Sequence, residues 1–278
     1  MMIHSDWHIH SEASYDASLS LQDIVHSTAA AGLRRIGITD HVNFNDSRFL
    51  CDLHTSVEAV TKLQKICPHV ILGVELTPIE KPEFDYIAKI GSREGYIPPR
   101  LPQPYEIELA RTKAELTELG VRYAIGAAHW RVDIPYARTL EPDMQACIRE
   151  WLRQQLWLAC DERVTVLGHP WYHGRGLWYE DFSVIPRSMN NELIAALKEN
   201  RKYTECNAQM LCDPQATEKF RHQYAEFLRE LFEQGIPITY GSDAHDVYGE
   251  DHIQTEKYLL AAGFQDGDIV EIAEEDLW

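Results

Sequence analysis

The sequence contains no apolar run that approaches the roughly 20 residues of a membrane-spanning helix, which argues against an integral membrane protein. Its first ten residues, MMIHSDWHIH, lack the basic region and apolar stretch of a signal peptide, so a cytoplasmic location is predicted. The six cysteines form no CxxC pair, and 278 residues are enough to bury a core without disulfide support. Free thiols are therefore expected.

Basic residues are also scarce, because 26 lysines and arginines stand against 44 aspartates and glutamates, giving a net charge of −18. This balance argues against nucleic acid as the main partner, since a phosphate backbone is usually bound by a basic patch. Acidic residues that hold cations would count here as bare negative charge, and bound metal would reverse their local field. Hydrophobic residues make up 45% of the chain, which is typical of a globular protein with a buried core.

One pattern recurs along the chain: a helix ends at glycine, a short β-branched strand follows, and a potential metal ligand stands at its end. The first unit has a helix predicted over 21–31, a stop at Gly32, a strand over 35–39, and His41 just beyond. Further helices are predicted over 105–119 and from about residue 217 to Gly235. The other strands are predicted at 3–7, 70–74, 123–126, 164–167, 203–206 and 237–240.

Seven strands that alternate with helices predict an α/β fold with a parallel sheet, closed or nearly closed into a barrel. In such barrels the active site lies at the carboxyl ends of the strands. The main irregularity is an insertion at about 77–104, which contains six prolines and cannot be a regular helix or central strand. It should rise over the barrel mouth, and residues 1–278 are interpreted as a single domain.

The residues at the predicted strand ends point to metal chemistry. His8 and His10 are spaced i, i+2, which places both imidazoles on one face of a strand. The other strand-end residues of this kind are His41, Glu75, His129, His169, Asp243 and His245. Burying such a set without metal would leave unmatched donors and charges. Imidazole mixed with carboxylate favours Zn²⁺, Mn²⁺ or Fe²⁺ over Mg²⁺, and Glu75 is suited to bridge two ions.

Six ordered motifs, DWHIH, TDH, GVE, AAHW, GHP and GSDAH, resemble those of the PHP family, named for polymerase and histidinol phosphatase domains. The resemblance runs from about Asp6 to Asp246 and implies a distorted (β/α)7 TIM-like barrel with two or three divalent metal ions. The ligands it carries over are His8, His10, Asp16, His41, Glu75, His129, His169, Asp243 and His245. Asp16, in SEASYDAS, matches its motif position less tightly than the others.

The same resemblance suggests residues that meet the substrate. Arg175, in HPWYHGRG, resembles an arginine that histidinol-phosphatase-like members carry after GHP, and arginine can bind phosphate through two parallel hydrogen bonds. Arg131 and His173 are further substrate-binding candidates, and Asp243 and Arg175 are the predicted catalytic residues. The segment ECNAQMLCD after position 204 departs from histidinol-phosphatase members, which often place a glycine and an arginine there. The exact substrate therefore stays open.

The leading hypothesis is a metal-dependent phosphoesterase that hydrolyses a small phosphomonoester through a metal-bound hydroxide. One alternative is a nuclease or phosphodiesterase of the same family, which the acidic surface argues against. A second is a metal-dependent amidohydrolase, whose bridging strand-end lysine has no counterpart here. A third is a metal-binding module without catalysis, although a degenerate barrel would be expected to have lost ligands that this chain keeps.

Overall fold

The computed structural model describes residues 2–42, 53–80, 107–129, 143–173 and 176–278. Arg131 and Arg175 lie outside the described residues, as does all but the first four residues of the predicted insertion at 77–104. Within the described part, no helix is long and apolar enough to cross a membrane.

The frame of the molecule is one parallel sheet. In chain order the strands are β1 (Ser5–Ile9), β2 (Arg35–Ile38), β3 (His41–Val42), β4 (Val70–Leu76), β5 (Ile79–Glu80), β6 (Ile107–Glu108), β7 (Tyr123–Gly126), β8 (Val166–Leu167), β9 (Tyr203–Asn207) and β10 (Ile238–Gly241). The sheet order is β1-β2-β4-β7-β8-β9-β10, with β3 also paired to β4. A parallel bridge from Ile9 to Ala244 brings its two edges together. The predicted seven-stranded, nearly closed (β/α) barrel is thus confirmed.

Helices cover the outside of this barrel. They are α1 (Leu21–Ala30), α2 (Leu53–Gln64), α3 (Lys113–Glu118), α4 (Met144–Cys160), α5 (Arg187–Glu199), α6 (Ala208–Cys212), α7 (Glu218–Glu233) and α8 (Asp251–Ala261). Side-chain oxygens of Ser20 and Thr217 cap the first turns of α1 and α7. Gly32 and Gly235 follow the same two helices with φ of 78° and 83°, a left-handed conformation that glycine adopts without strain.

The helix predicted over 105–119 is wrong in its first half. Strand β6 lies there and pairs in antiparallel register with β5, so the two strands form a small separate ribbon. The helix starts only after Thr112, whose hydroxyl accepts from the backbone N–H of Glu115 while the Glu115 carboxylate accepts from the Thr112 N–H. The first strand is also displaced, because it spans Ser5–Ile9 rather than 3–7 and therefore contains His8.

The amino-terminal end of the barrel is closed by the last ten residues of the chain. Ile272 and Leu277 are buried there against Trp7 and Tyr123 from the barrel interior. Ile269 forms a bridge with Ile238, the first residue of β10. With this end filled by apolar side chains, the carboxyl ends of the strands are left to hold the polar cluster described next.

Candidate metal centre

All nine predicted ligands meet at the carboxyl ends of the barrel strands. Their ligand atoms form three groups, each with all atoms within 4.8 Å of one another: His10, His41 and His245; His8, His10 and Asp243; and Glu75, His129 and His169. Asp16 joins the first group, since its Oδ2 lies 3.3 Å from His41 Nε2 and 3.7 Å from His245 Nε2. His10 is common to two groups. The strand ends thus converge as the motif order predicts.

Glu75 lies at the centre of this arrangement. It is inside β4 rather than at its end, paired with His41 of β3 on one side and Ile125 of β7 on the other. Its Oε2 lies 2.6 Å from His41 Nδ1, 3.5 Å from His10 Nε2 and 3.7 Å from His8 Nε2. Its Oε1 lies 3.2 Å from His169 Nε2 and 3.6 Å from His129 Nε2. The two carboxylate oxygens therefore face different sets of histidines.

The polar atoms at the centre are not satisfied by the protein alone. Glu75 Oε2 and His41 Nδ1 are both buried without a hydrogen-bond partner, although they are only 2.6 Å apart, because their contact lacks hydrogen-bond geometry. Buried polar atoms in proteins almost always have a partner, and a bound ion is one of the explanations for an exception. Nitrogen and carboxylate oxygen donors are also the set that Zn²⁺, Mn²⁺ and Fe²⁺ take. The residues present therefore fit divalent metal.

Burial and mutual contact shift the pKa values of these side chains strongly. Burial lowers the pKa of His10 to about 3, helped by the nearby His41, and lowers that of His129 to about 4. Burial also opposes charge on His41, but Glu75 and Asp16 outweigh it and raise the His41 pKa to about 10. Burial would raise the pKa of Glu75, yet the histidines, His41 first, hold it well below its usual value. His10 and His129 thus keep lone pairs available at neutral pH.

Comparison with known proteins agrees with this picture. The PHP domain model matches residues 6–209. The chain belongs to the PHP domain family. The match to the family names no substrate. No curated protein matches it significantly in sequence.

Two solved structures show the same fold as this PHP domain. One is a histidinol phosphate phosphatase from Lactococcus lactis, crystallised with zinc, L-histidinol and phosphate, at 21% identity and a TM-score of 0.67 over 97% of this chain and 99% of that one. The other is a proposed histidinol phosphatase from Listeria monocytogenes, at 15% identity and a TM-score of 0.60 over 89% of this chain and 96% of that one.

Glu205 is a buried carboxylate that the sequence patterns place at a strand end but do not single out as a site residue. It lies on β9 with no exposed surface and contacts His8 Nδ1 at 2.9 Å. Asn207, two residues further along the strand, donates its side-chain N–H to Glu205 Oε1 and to Asp243 Oδ2. The i, i+2 spacing that marks His8 and His10 also marks this pair, and could have identified it.

Three residues at or beside the metal centre adopt a left-handed backbone conformation. The φ angles are 23° for His169, 65° for Trp171 and 55° for Asp243. Residues other than glycine rarely adopt such values, and they occur most often at functional sites where the surrounding structure enforces them. The Asp243 N–H donates to the carbonyl of His8 at 2.8 Å, so the strained loop is fixed to the strand that carries a neighbouring ligand.

Two tyrosines flank the centre. The Tyr15 ring, 39% exposed, lies 5.3 Å from the His41 ring. The Tyr172 ring lies 5.0 Å from that of His169 and 6.4 Å from that of His129. Burial raises the pKa of Tyr172 to about 12, so its hydroxyl stays protonated at neutral pH. Aromatic surface is therefore present beside both histidine sets.

Within its described part, the structure places none of the three predicted substrate-binding residues, His173, Arg131 and Arg175, beside the metal centre. His173 is fully buried, with its ring 4.9 Å from that of Trp151 and 4.7 Å from that of Trp178. Such packing speaks against contact with a substrate, so its assignment stays a prediction without structural support. Arg131 and Arg175 lie outside the described residues.

Proposed function

We propose that this PHP-family chain is a phosphomonoesterase of the histidinol-phosphatase type, acting on a small phosphate ester with two or three divalent ions. The observation that carries the proposal is the position of Glu75, whose two buried oxygens face separate histidine sets. A carboxylate between two such sets is suited to bridge two ions. Paired ions of this kind are typical of enzymes that displace a phosphoryl group.

The assignment of ligands follows the three groups. Glu75, His129 and His169 would hold one ion, and His8, His10 and Asp243 a second. His41 and His245, with Asp16 beside them, form a third group that shares His10 with the second. This sharing is why the proposal keeps two or three ions open. Zn²⁺, Mn²⁺ and Fe²⁺ all suit the donor set.

The ions, when bound, would supply Lewis-acid activation of a water and neutralise charge on the phosphoryl oxygens. The protein's own task is to orient this chemistry. Glu75 and Asp243 are the carboxylates of the first two groups. The Asp243 side chain is 13% exposed and that of Glu75 1%, so of these two Asp243 is better placed to meet a molecule entering from the open end. We assign Asp243 to that contact, with Arg175 as the sequence-based candidate for holding the phosphate.

The candidate substrate comes from the fold comparison. The Lactococcus lactis structure contains L-histidinol and phosphate together with zinc, and makes histidinol phosphate the first compound to test. Tyr15 and Tyr172 give the centre aromatic surface that a planar leaving group could pack against.

The test is metal analysis of the purified protein followed by a phosphate-release screen. We expect more than one equivalent of transition metal, loss of activity on chelation, and recovery on adding Zn²⁺, Mn²⁺ or Fe²⁺. The screen should contain histidinol phosphate, sugar phosphates, nucleotides, a phosphodiester and single-stranded DNA. Full activity in a metal-free preparation, or activity confined to the diester and DNA, would overturn the proposal.

A further inference from the structure

We propose that Glu205 is a positioning residue that fixes the ring of His8 in its metal-binding tautomer and ties two of the ligand groups together. The inference rests on the proposed function, because it takes His8, His169 and Asp243 as metal ligands. Glu205 itself belongs to none of the three ligand groups.

Both carboxylate oxygens of Glu205 contact the ring of His8. Glu205 Oε2 lies 2.9 Å from His8 Nδ1, and Oε1 lies 3.2 Å from the same nitrogen. A carboxylate can only accept, so Nδ1 must carry the proton. Metal binding requires a neutral imidazole, and in the neutral ring a proton on Nδ1 leaves the lone pair on Nε2. Nε2 points into the cluster, 3.1 Å from His10 Nε2 and 3.5 Å from Asp243 Oδ1. Carboxylates behind ligating histidines commonly set tautomer and orientation in this way.

Glu205 also connects to the segments that carry two other proposed ligands, His169 and Asp243. Its Oε1 accepts from the backbone N–H of His169 at 2.5 Å and from Asn207 Nδ2 at 2.9 Å. Asn207 Nδ2 reaches Asp243 Oδ2 at 3.2 Å as well. The Asn207 oxygen accepts from the N–H of Gln209, which fixes the amide orientation. One carboxylate therefore connects a ligand on β1, a ligand after β8 and a ligand after β10.

The barrel leaves space for the Glu205 side chain at Gly241. Glu205 on β9 reaches across β10 to His8 on β1, and Gly241 of β10 lies between them. A Cβ on Gly241 would come within 2.4 Å of Glu205 Oε2 and 2.7 Å of His8 Cβ. The contact is possible because this position carries no side chain.

These contacts make Glu205→Gln an informative substitution. The Oε1 side receives two donors, from His169 and Asn207, so the amide oxygen of glutamine must lie there. The amide NH2 then faces His8 Nδ1, which must become an acceptor, and the proton moves to Nε2. That tautomer presents N–H to the cluster and cannot bind metal through Nε2.

The first measurement uses the unaltered protein. Long-range ¹H–¹⁵N correlation spectra of the zinc-loaded protein, with His8 assigned through His8→Ala, report which nitrogen carries the proton. We expect a proton on Nδ1. A proton on Nε2 would overturn the inference, and this result does not depend on any Glu205 variant folding.

The second measurement is zinc affinity by competition with a chelator. We expect Glu205→Gln to bind at least one ion ~10–100-fold more weakly than the unaltered protein, the range seen for outer partners of metal ligands. Glu108→Gln is the matched control, because Glu108 is also a buried strand glutamate but pairs with Arg163 at 2.8 Å, outside the three ligand groups. The control should keep wild-type zinc affinity even if its melting temperature falls.

The outcomes separate the two proposals. If His8→Ala loses zinc while Glu205→Gln binds zinc as tightly as the unaltered protein, the ligand assignment stands and the role of Glu205 is refuted. If His8→Ala retains every equivalent of zinc, the proposed ligand set is itself wrong. A tautomer change together with weaker zinc binding in Glu205→Gln, and neither in Glu108→Gln, would support the inference.

Discussion

Replacing Glu75 with glutamine should remove metal from the centre, not only slow the reaction. The substitution keeps the size of the side chain in a site where Glu75 is 1% exposed, so packing is preserved. It removes the negative charge and converts one of two oxygens into an NH2 group. Because Oε1 and Oε2 face different histidine sets, whichever way the amide turns, one set meets a donor in place of a ligand.

The size of the effect can be bounded from these contacts. Losing a partner that only orients a ligand weakens metal binding ~10–100-fold, or about 1.4–2.7 kcal/mol. Glu75 lies within 3.7 Å of a nitrogen from each of five histidines, so its loss should exceed that range for at least one ion. The ion that keeps the amide oxygen should be retained more tightly than the other.

The assay is elemental analysis after dialysis against a metal buffer, with phosphate release measured on the same samples. Glu75→Gln should contain at least one equivalent less than the unaltered protein, and excess metal should restore activity only in part. Circular dichroism would establish that the variant is folded. Equal metal occupancy in both proteins, measured over a range of buffered metal concentrations, would refute the bridging role.

Three further predictions test other parts of the molecule. Arg175 lies outside the described residues. Arg175→Ala should raise KM for a phosphomonoester, lower kcat/KM by the equivalent of ~1.5–3 kcal/mol and leave the metal content unchanged. Unchanged kinetics would exclude a phosphate contact. Gly241→Ala should destabilise the fold by ~1–3 kcal/mol in chelator, because its Cβ would lie 2.4 Å from Glu205 Oε2; an unaltered melting temperature would contradict that crowding. Burial and the Asp276 carboxylate raise the pKa of Tyr203 to about 12, above its ordinary value of 10.0. The protonated phenol therefore stabilises the folded state below pH 10, and this contribution is lost as the pH rises toward 12. Melting curves of Tyr203→Phe should lack this pH-dependent component, and identical curves for both proteins would show that the phenol does not contribute.

The sequence predicts the barrel and the ligand set because both depend on local signals. The strand over 123–126 follows a helix stopped at Gly120, and the structure has the same bounds for β7. A parallel barrel brings all strand ends to one side, so motifs placed at strand ends must converge. The error over 105–119 has a non-local cause, since Ile107–Glu108 becomes a strand only through pairing with Ile79–Glu80.

The parts that could not be predicted depend on contacts between distant segments. The role of Glu205 follows from the closure of β10 against β1, where a Cβ on Gly241 would come within 2.4 Å of Glu205 Oε2. His173 is close in sequence to His169 and invites a functional interpretation, but Trp151 from α4 and Trp178 enclose its ring. The i, i+2 spacing of Glu205 and Asn207 could mark them as site residues. However, local spacing does not encode the contact of Glu205 with His8 or the packing around His173.

The left-handed residues at the centre have a consequence for any attempt to make this protein more thermostable. His169, Trp171 and Asp243 hold backbone conformations that cost ~1–3 kcal/mol each for residues with a Cβ. Glycine at these positions would relax the backbone, so a selection on melting temperature in chelator would reward His169→Gly and Asp243→Gly. Both changes would erase proposed metal ligands. Heat tolerance and metal loading are therefore opposing criteria at these loops, and engineering for robustness should exempt them and draw on the helical exterior instead.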